Sequence, residues 1–137
     1  MGRIIALDYG KKRTGIAVTD PLQIIATGLT TVDTQTLFDF LKQYISTEVV
    51  EKIVIGDPLN LDRTETDSTA AVKHCIRRLK NTFPTIPIVT IDESYTSKLA
   101  AKAMVEMGMK KKERQKKGII DEVAATMMLQ EYLGERG

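Results

Sequence analysis

The run Ile4-Ile5-Ala6-Leu7 carries no polar alternation and ends on a carboxylate, Asp8. A strand with one face in water alternates apolar and polar side chains, whereas a strand apolar at every position is covered on both faces. Residues 3–8 therefore read as a buried strand, central in a layered α/β sheet. A carboxylate at the end of such a strand is costly to desolvate unless positive charge meets it.

Behind this strand the pattern continues as short apolar runs and helical periodicities. Thr14 to Thr19 reads as a second strand, joined to the first by a tight turn at Gly10 to Arg13, and Thr27 to Val32 as a third. Thr34 to Thr47 reads as a helix with Phe38, Leu41 and Ile45 on one face and Asp33 or Thr34 as its cap. Lys52 to Gly56 is a short buried strand, broken by Asp57-Pro58. Asp67 to Phe83 reads as a helix, Ile86 to Asp92 as a strand, Thr96 to Met107 as a helix ended by Gly108, and Ile119 to Leu133 as the last helix. The order β-β-β-α-β-α-β-α-α predicts an α/β fold. Its mixed five-stranded sheet has three antiparallel strands, then two parallel ones, flanked by helices.

The length of 137 residues and 42% apolar content fit a single domain, 1–137, with one core. No apolar run approaches bilayer length, and the first is too short for a signal-peptide core, so the expected location is cytoplasmic, away from membranes. The lone Cys75 excludes an internal disulfide framework and is expected in the core; no Cys/His cluster suggests zinc. The net charge of +2 says little, but Lys110-Lys111-Lys112-Glu113-Arg114-Gln115-Lys116-Lys117 holds six basic residues against one acidic. Such a segment suits a polyanion, as salt-sensitive affinity without base readout. With no Trp and 5% aromatic residues, base stacking is an unpromising main mode.

Two further acids share the context of Asp8. Glu93 follows the run Ile86 to Asp92, and Asp121 lies in Ile119-Ile120-Asp121-Glu122-Val123-Ala124-Ala125. Asp57 also ends a strand. Carboxylates drawn together from distant segments are expected to meet Mg²⁺ or Mn²⁺, which prefer oxygen ligands. Two such ions about 4 Å apart hold the attacking and leaving oxygens of a phosphodiester displacement. Simpler readings stay open: Asp8 as a turn-initiating residue, Glu93 in a helix-start signal with Thr96, and Asp121 as a charge favouring a helix dipole.

Several segments, in this order, resemble the YqgF (RuvX) family, which has the ribonuclease H-like fold. They are Ala6-Leu7-Asp8-Tyr9-Gly10 with Lys12-Arg13-Thr14-Gly15, Val18-Thr19-Asp20-Pro21-Leu22, Gly56-Asp57-Pro58-Leu59-Asn60, Asp92-Glu93-Ser94-Tyr95-Thr96-Ser97, and Asp121 with Ala124-Ala125 and Leu129-Gln130. The resemblance covers nearly all of the chain. It implies an endonuclease in 5′-end maturation of the small-subunit (16S) ribosomal RNA precursor or, by analogy with the RuvC resolvase, cleavage of four-way DNA junctions. Asp8, Glu93 and Asp121 would be its catalytic metal ligands. Nucleic-acid contacts are expected at Lys11, Lys12, Arg13, Arg63, Lys110, Lys111, Lys112, Arg114, Lys116 and Lys117. A ribosomal precursor particle is a further expected partner, with the chain as monomer or homodimer. Two departures concern substrate handling: Ser94 stands where the family usually has Arg, and Arg63 where it usually has Gly. A non-catalytic nucleic-acid-binding protein of the same fold is the second class. The third is phosphotransfer, because Asp8-Tyr9-Gly10 with Gly15 also resembles the first phosphate loop of actin and sugar-kinase ATPases. Those proteins enclose their nucleotide between two such domains, and this chain carries no second phosphate loop.

Overall fold

The computed structural model describes residues 2–57, 67–92 and 117–136. Five strands form one sheet in the order β3-β2-β1-β4-β5. They are β1 (Arg3–Asp8), β2 (Arg13–Thr19), β3 (Ala26–Asp33), β4 (Val50–Asp57) and β5 (Ile88–Asp92). β1 pairs antiparallel with β2 and parallel with β4; β2 pairs antiparallel with β3, and β4 parallel with β5. The strand with no polar alternation is thus the middle one, and the meander followed by crossovers is the expected α/β arrangement.

Three helices among the described residues cover the two faces: α1 (Leu37–Thr47), α2 (Asp67–Thr82) and α3 (Lys117–Arg136). On one face Ile5, Leu7, Ile16, Val18, Ile53 and Ile55 pack with Leu37, Phe38 and Leu41 of α1 and Val72, Cys75 and Leu79 of α2. On the other, Ile4, Ala6, Ala17, Ala26 and Val54 pack with Ala125, Met128 and Leu129 of α3. Successive residues of a strand point to opposite faces, so the two core lists interleave along β1. The α3 face is lined by alanines, which let the helix come close to the sheet. Closest is Gly28: a Cβ there would sit 2.6 Å from Glu122 Oε1, 2.8 Å from Glu122 Cγ and 3.0 Å from Thr126 Oγ1.

Several boundaries differ from the sequence expectation. The helix expected from Thr34 opens as a 3₁₀ turn, Thr34–Thr36, and neither Asp33 nor Thr36 caps by its side chain. The Thr34 hydroxyl is engaged elsewhere, as described below. β5 starts at Ile88 and not Ile86, because Ile86 N–H turns back to the Phe83 carbonyl at 3.1 Å and Pro87 has no N–H to give. The last helix starts at Lys117, so that residue opens α3 and does not end the basic loop. The expected helix 96–107 lies outside the described residues. Among the described residues no helix is long and apolar enough to cross a membrane.

Candidate active site

The carboxyl ends of the three parallel strands meet at one edge. Leu7 of β1 is level with Ile55 of β4, which puts Asp8 level with Gly56, one residue before Asp57. Asp57 is in turn the direct partner of Asp92. Adjacent strands lie about 4.8 Å apart, so the backbones of Asp8, Asp57 and Asp92 occupy one short stretch of sheet edge. Ile4 and Ala6 face α3, and the period of two carries Asp8, which is half-buried, to the same side.

α3 runs against β1 and enters at this edge. Its residues Glu122 and Thr126 lie over Gly28, which pairs with Ala17, the partner of Ala6. Its far end, Gln130 to Gly134, lies beside Ile24 to Ala26 at the opposite edge. The amino-terminal part of α3, whose fifth residue is Asp121, is therefore on the Asp8 side of the sheet. Glu93 lies outside the described residues, as do Arg63, Lys110, Lys111, Lys112, Arg114 and Lys116, and also Ser94. Among the described residues no three His, Cys, Asp or Glu gather as a metal-holding group. Of the expected acids, Asp8 is placed with its side chain, and Asp57 and Asp121 by their backbone.

The turn from β1 to β2 brings positive charge to this edge. Lys11 and Lys12 are exposed, and Arg13 is half-buried as the first residue of β2. The turn is fixed from outside. Thr34 donates its hydroxyl to the Gly10 carbonyl at 2.6 Å and its N–H to the Lys12 carbonyl at 2.9 Å. That use of its proton leaves Thr14, 3.0 Å away and buried, to donate to Thr34 Oγ1. Gly10 has to be glycine, since a Cβ would stand 2.5 Å from the Arg13 carbonyl oxygen. The sequence pattern offers Asp33 or Thr34 as a helix cap and does not single out Thr14 or Gly28; the one available signal is a glycine inside an expected strand, which marks close backbone approach.

The opposite side of the β1 terminus is apolar. Tyr9 packs against the α1/α2 core, and burial raises its phenol, with the nearby Cys75 adding to the rise and Arg78 opposing it. Burial pushes the Cys75 thiol up to about 11, so it stays protonated and is not a nucleophile at neutral pH. Arg78 lies 3.9 Å over the Phe38 ring, where it covers the core edge.

A mixed sheet of this order, helices on both faces and an acid ending the central strand together define an α/β protein of the ribonuclease H-like class. A model of the RuvX family, described as Holliday junction resolvase, matches residues 2–135, and the chain belongs to that family. It is 48% identical over 136 residues to a Flavobacterium johnsoniae protein named "Putative pre-16S rRNA nuclease", covering 99% of both chains. It is 49% identical over 133 residues to a protein of the same name from Phocaeicola vulgatus, covering 97% of this chain and 96% of that one. Among solved structures, YeaZ from Pseudomonas aeruginosa superposes with a TM-score of 0.47 at 15% identity, covering 79% of this chain and 50% of that one, a likeness that carries no argument.

Proposed function

We propose that the chain is a divalent-metal-dependent endonuclease acting at the carboxyl edge of its sheet, with the small-subunit ribosomal RNA precursor as substrate. The observation that carries this reading is the position of Asp8. It ends the central strand one residue short of the ends of both parallel neighbours, on the face of the sheet that α3 covers. The names of its relatives, which specify a pre-16S rRNA nuclease, support the substrate.

The donor chemistry fits a hard cation. The residues assigned to it, Asp8, Glu93 and Asp121 with Asp57 as a fourth, offer carboxylate oxygens, which suit Mg²⁺ or Mn²⁺. When bound, such ions polarise a phosphoryl oxygen and lower the pKa of a coordinated water. The chain's own part is positioning. Asp8 is carried by the central, buried strand, so its backbone is held in place before any substrate arrives. Lys11 and Lys12, on a turn locked by Thr34, present charge to the phosphates flanking the scissile one and fix the strand's register without reading bases.

The family's description as a Holliday junction resolvase favours a second reading, cleavage of four-way DNA junctions. The two are separated by incubating the protein with ribosomal precursor RNA and with a four-way junction, each with Mg²⁺, Mn²⁺ or chelator. The first reading predicts endonucleolytic cuts in the RNA; cuts in the junction alone would transfer the assignment to DNA. Tight binding without cleavage of either would leave a non-catalytic binder and end both.

A further inference from the structure

The amino edge of the sheet, opposite the acids, carries a surface that nuclease chemistry does not use. The loop between β2 and β3 holds Leu22, Ile24 and Ile25 at 60%, 66% and 63% exposure, and Val49, just before β4, is 73% exposed. These belong to one patch. Val49 Cγ1 lies 3.1 Å from where a Cβ on Gly2 would be, and Gln23 Nε2 donates to the Gly2 carbonyl at 2.8 Å, so Gly2 joins Val49 to the loop. On its other flank Ile24, Ile25 and Ala26 line a groove of about 450 Å³ with Gln130, Leu133 and Gly134 of α3.

The loop is caged in this form. The Asp20 carboxylate accepts the N–H groups of Leu22 at 3.2 Å and of Ile24 and Ile25 at 2.8 Å each. Gln23 N–H closes back on the Asp20 carbonyl at 2.9 Å. Gln23 sits at φ 60°, a region unfavourable to a residue with a Cβ, and is held there by burial and by its amide's bonds to Gly2 and to the Glu51 carboxylate. The backbone bonds thus hold three large apolar side chains outward. A contiguous exposed apolar patch on a preorganised frame marks an interaction site, because little ordering is left to be lost on binding.

The frame's charge selects the occupant. Asp20, Glu48 and Glu51 surround the patch, and Glu131 is exposed on α3 between groove residues. Hydrogen bonds to its own loop, that from Ile25 first, hold Asp20 below the usual carboxylate range, so it is ionised. The described cations nearby are both engaged: Arg3 pairs with Glu48 at 3.3 Å, and Lys52 donates to the Tyr132 hydroxyl at 2.7 Å. An apolar centre in an acidic frame repels phosphates and matches a segment with apolar side chains in its middle and Lys or Arg at its margins. We infer that the amino edge is a docking surface for a cationic amphipathic segment of another protein. Its apolar side chains enter the groove between Ile24 and Leu133, and its cations meet Asp20, Glu51 and Glu131.

The test uses the full chain and two synthetic amphipathic helical peptides, one of Leu and Lys and one of Leu and Glu, with binding followed by calorimetry and by backbone amide shifts. The Lys peptide should bind at least about tenfold tighter than the Glu peptide, weaken with salt, and shift residues 20–25, 49 and 130–134. The double variant Ile24→Ser, Ile25→Ser should lose about tenfold or more in affinity while melting and cleaving as the wild type does. Equal affinity for both peptides, or an unchanged affinity in the variant, overturns the inference. Self-association or binding to anionic vesicles that the double variant abolishes also overturns it, by giving the surface to a second copy or to a membrane. None of these results touches the nuclease reading.

Discussion

Asp8 and Asp20 occupy the same local pattern: an apolar strand, an aspartate, then a turn residue, Tyr9-Gly10 in one case and Pro21 in the other. Their surroundings differ because their strands run in opposite directions. β1 is parallel to β4 and β5, so three strand ends collect around Asp8. β2 is antiparallel to β1, so Asp20 emerges at the far edge, where it caps its own loop. The securing devices are mirror images too. At the carboxyl edge Thr34 donates its hydroxyl and its N–H to two turn carbonyls; at the amino edge a carboxylate accepts turn amides. Strand direction, which no local window of sequence contains, decides whether an acid ends a strand beside other strand ends or caps its own loop.

The same substitution at both positions should break this comparison most sharply. Asp8→Asn is expected to lower the cleavage rate by about a hundredfold or more with melting unchanged, since a lost metal ligand removes several kcal/mol of transition-state stabilisation. Asp20→Asn should do the reverse, keeping the cleavage rate and lowering the melting temperature by roughly 2–5 °C. Cleavage assays and thermal melts on both variants decide it.

Next in size is Gly28→Val. The side chain would strike Glu122 Cγ and Thr126 Oγ1 and push α3 outward, at a cost of about 1–3 kcal/mol. Because Asp121 rides on the same helix, cleavage should fall along with stability, and a normal rate in the variant would show that α3 does not set the site. Lys11→Ala and Lys12→Ala should each weaken nucleic-acid binding mildly and reduce the log–log salt slope by about 1, whatever the sequence bound. An unchanged slope would remove that turn from the interface.

The smallest effect is one of pH. The folded pKa of Asp20 is depressed, so its contribution to stability is complete above the unfolded value near 3.8 and is lost as pH falls through the lower folded value. The melting difference between wild type and Asp20→Asn should therefore be constant near neutrality and shrink in acid. A difference that grows as pH falls would contradict the hydrogen-bonded, ionised state of this loop.

Much of the fold was legible because β1 has no alternation and the helices carry clear apolar stripes, Phe38 with Leu41 and Val72 with Leu79. Cys75 fell in the core as its type suggests. The site was legible only as a set of strand-ending acids. Which of them share an edge depends on the register of Leu7 with Ile55 and Asp57 with Asp92, a tertiary fact. The cap expected at Asp33 or Thr34 is absent: a threonine before a helix suggests that role by default, but the acceptors of Thr34 lie 24 and 22 residues away at Gly10 and Lys12. Gly28 was passed over because nothing in β3 alone says that a helix from the end of the chain lies against it.

The most direct test is a metal titration of cleavage on small-subunit ribosomal RNA precursor, run on wild type and Asp8→Asn side by side. The wild type should cut with Mg²⁺ or Mn²⁺, stop with chelator and recover on metal addition, while Asp8→Asn stays near background at every metal concentration. Wild-type rates in Asp8→Asn, or cutting that persists in chelator, would contradict a site built around the end of β1.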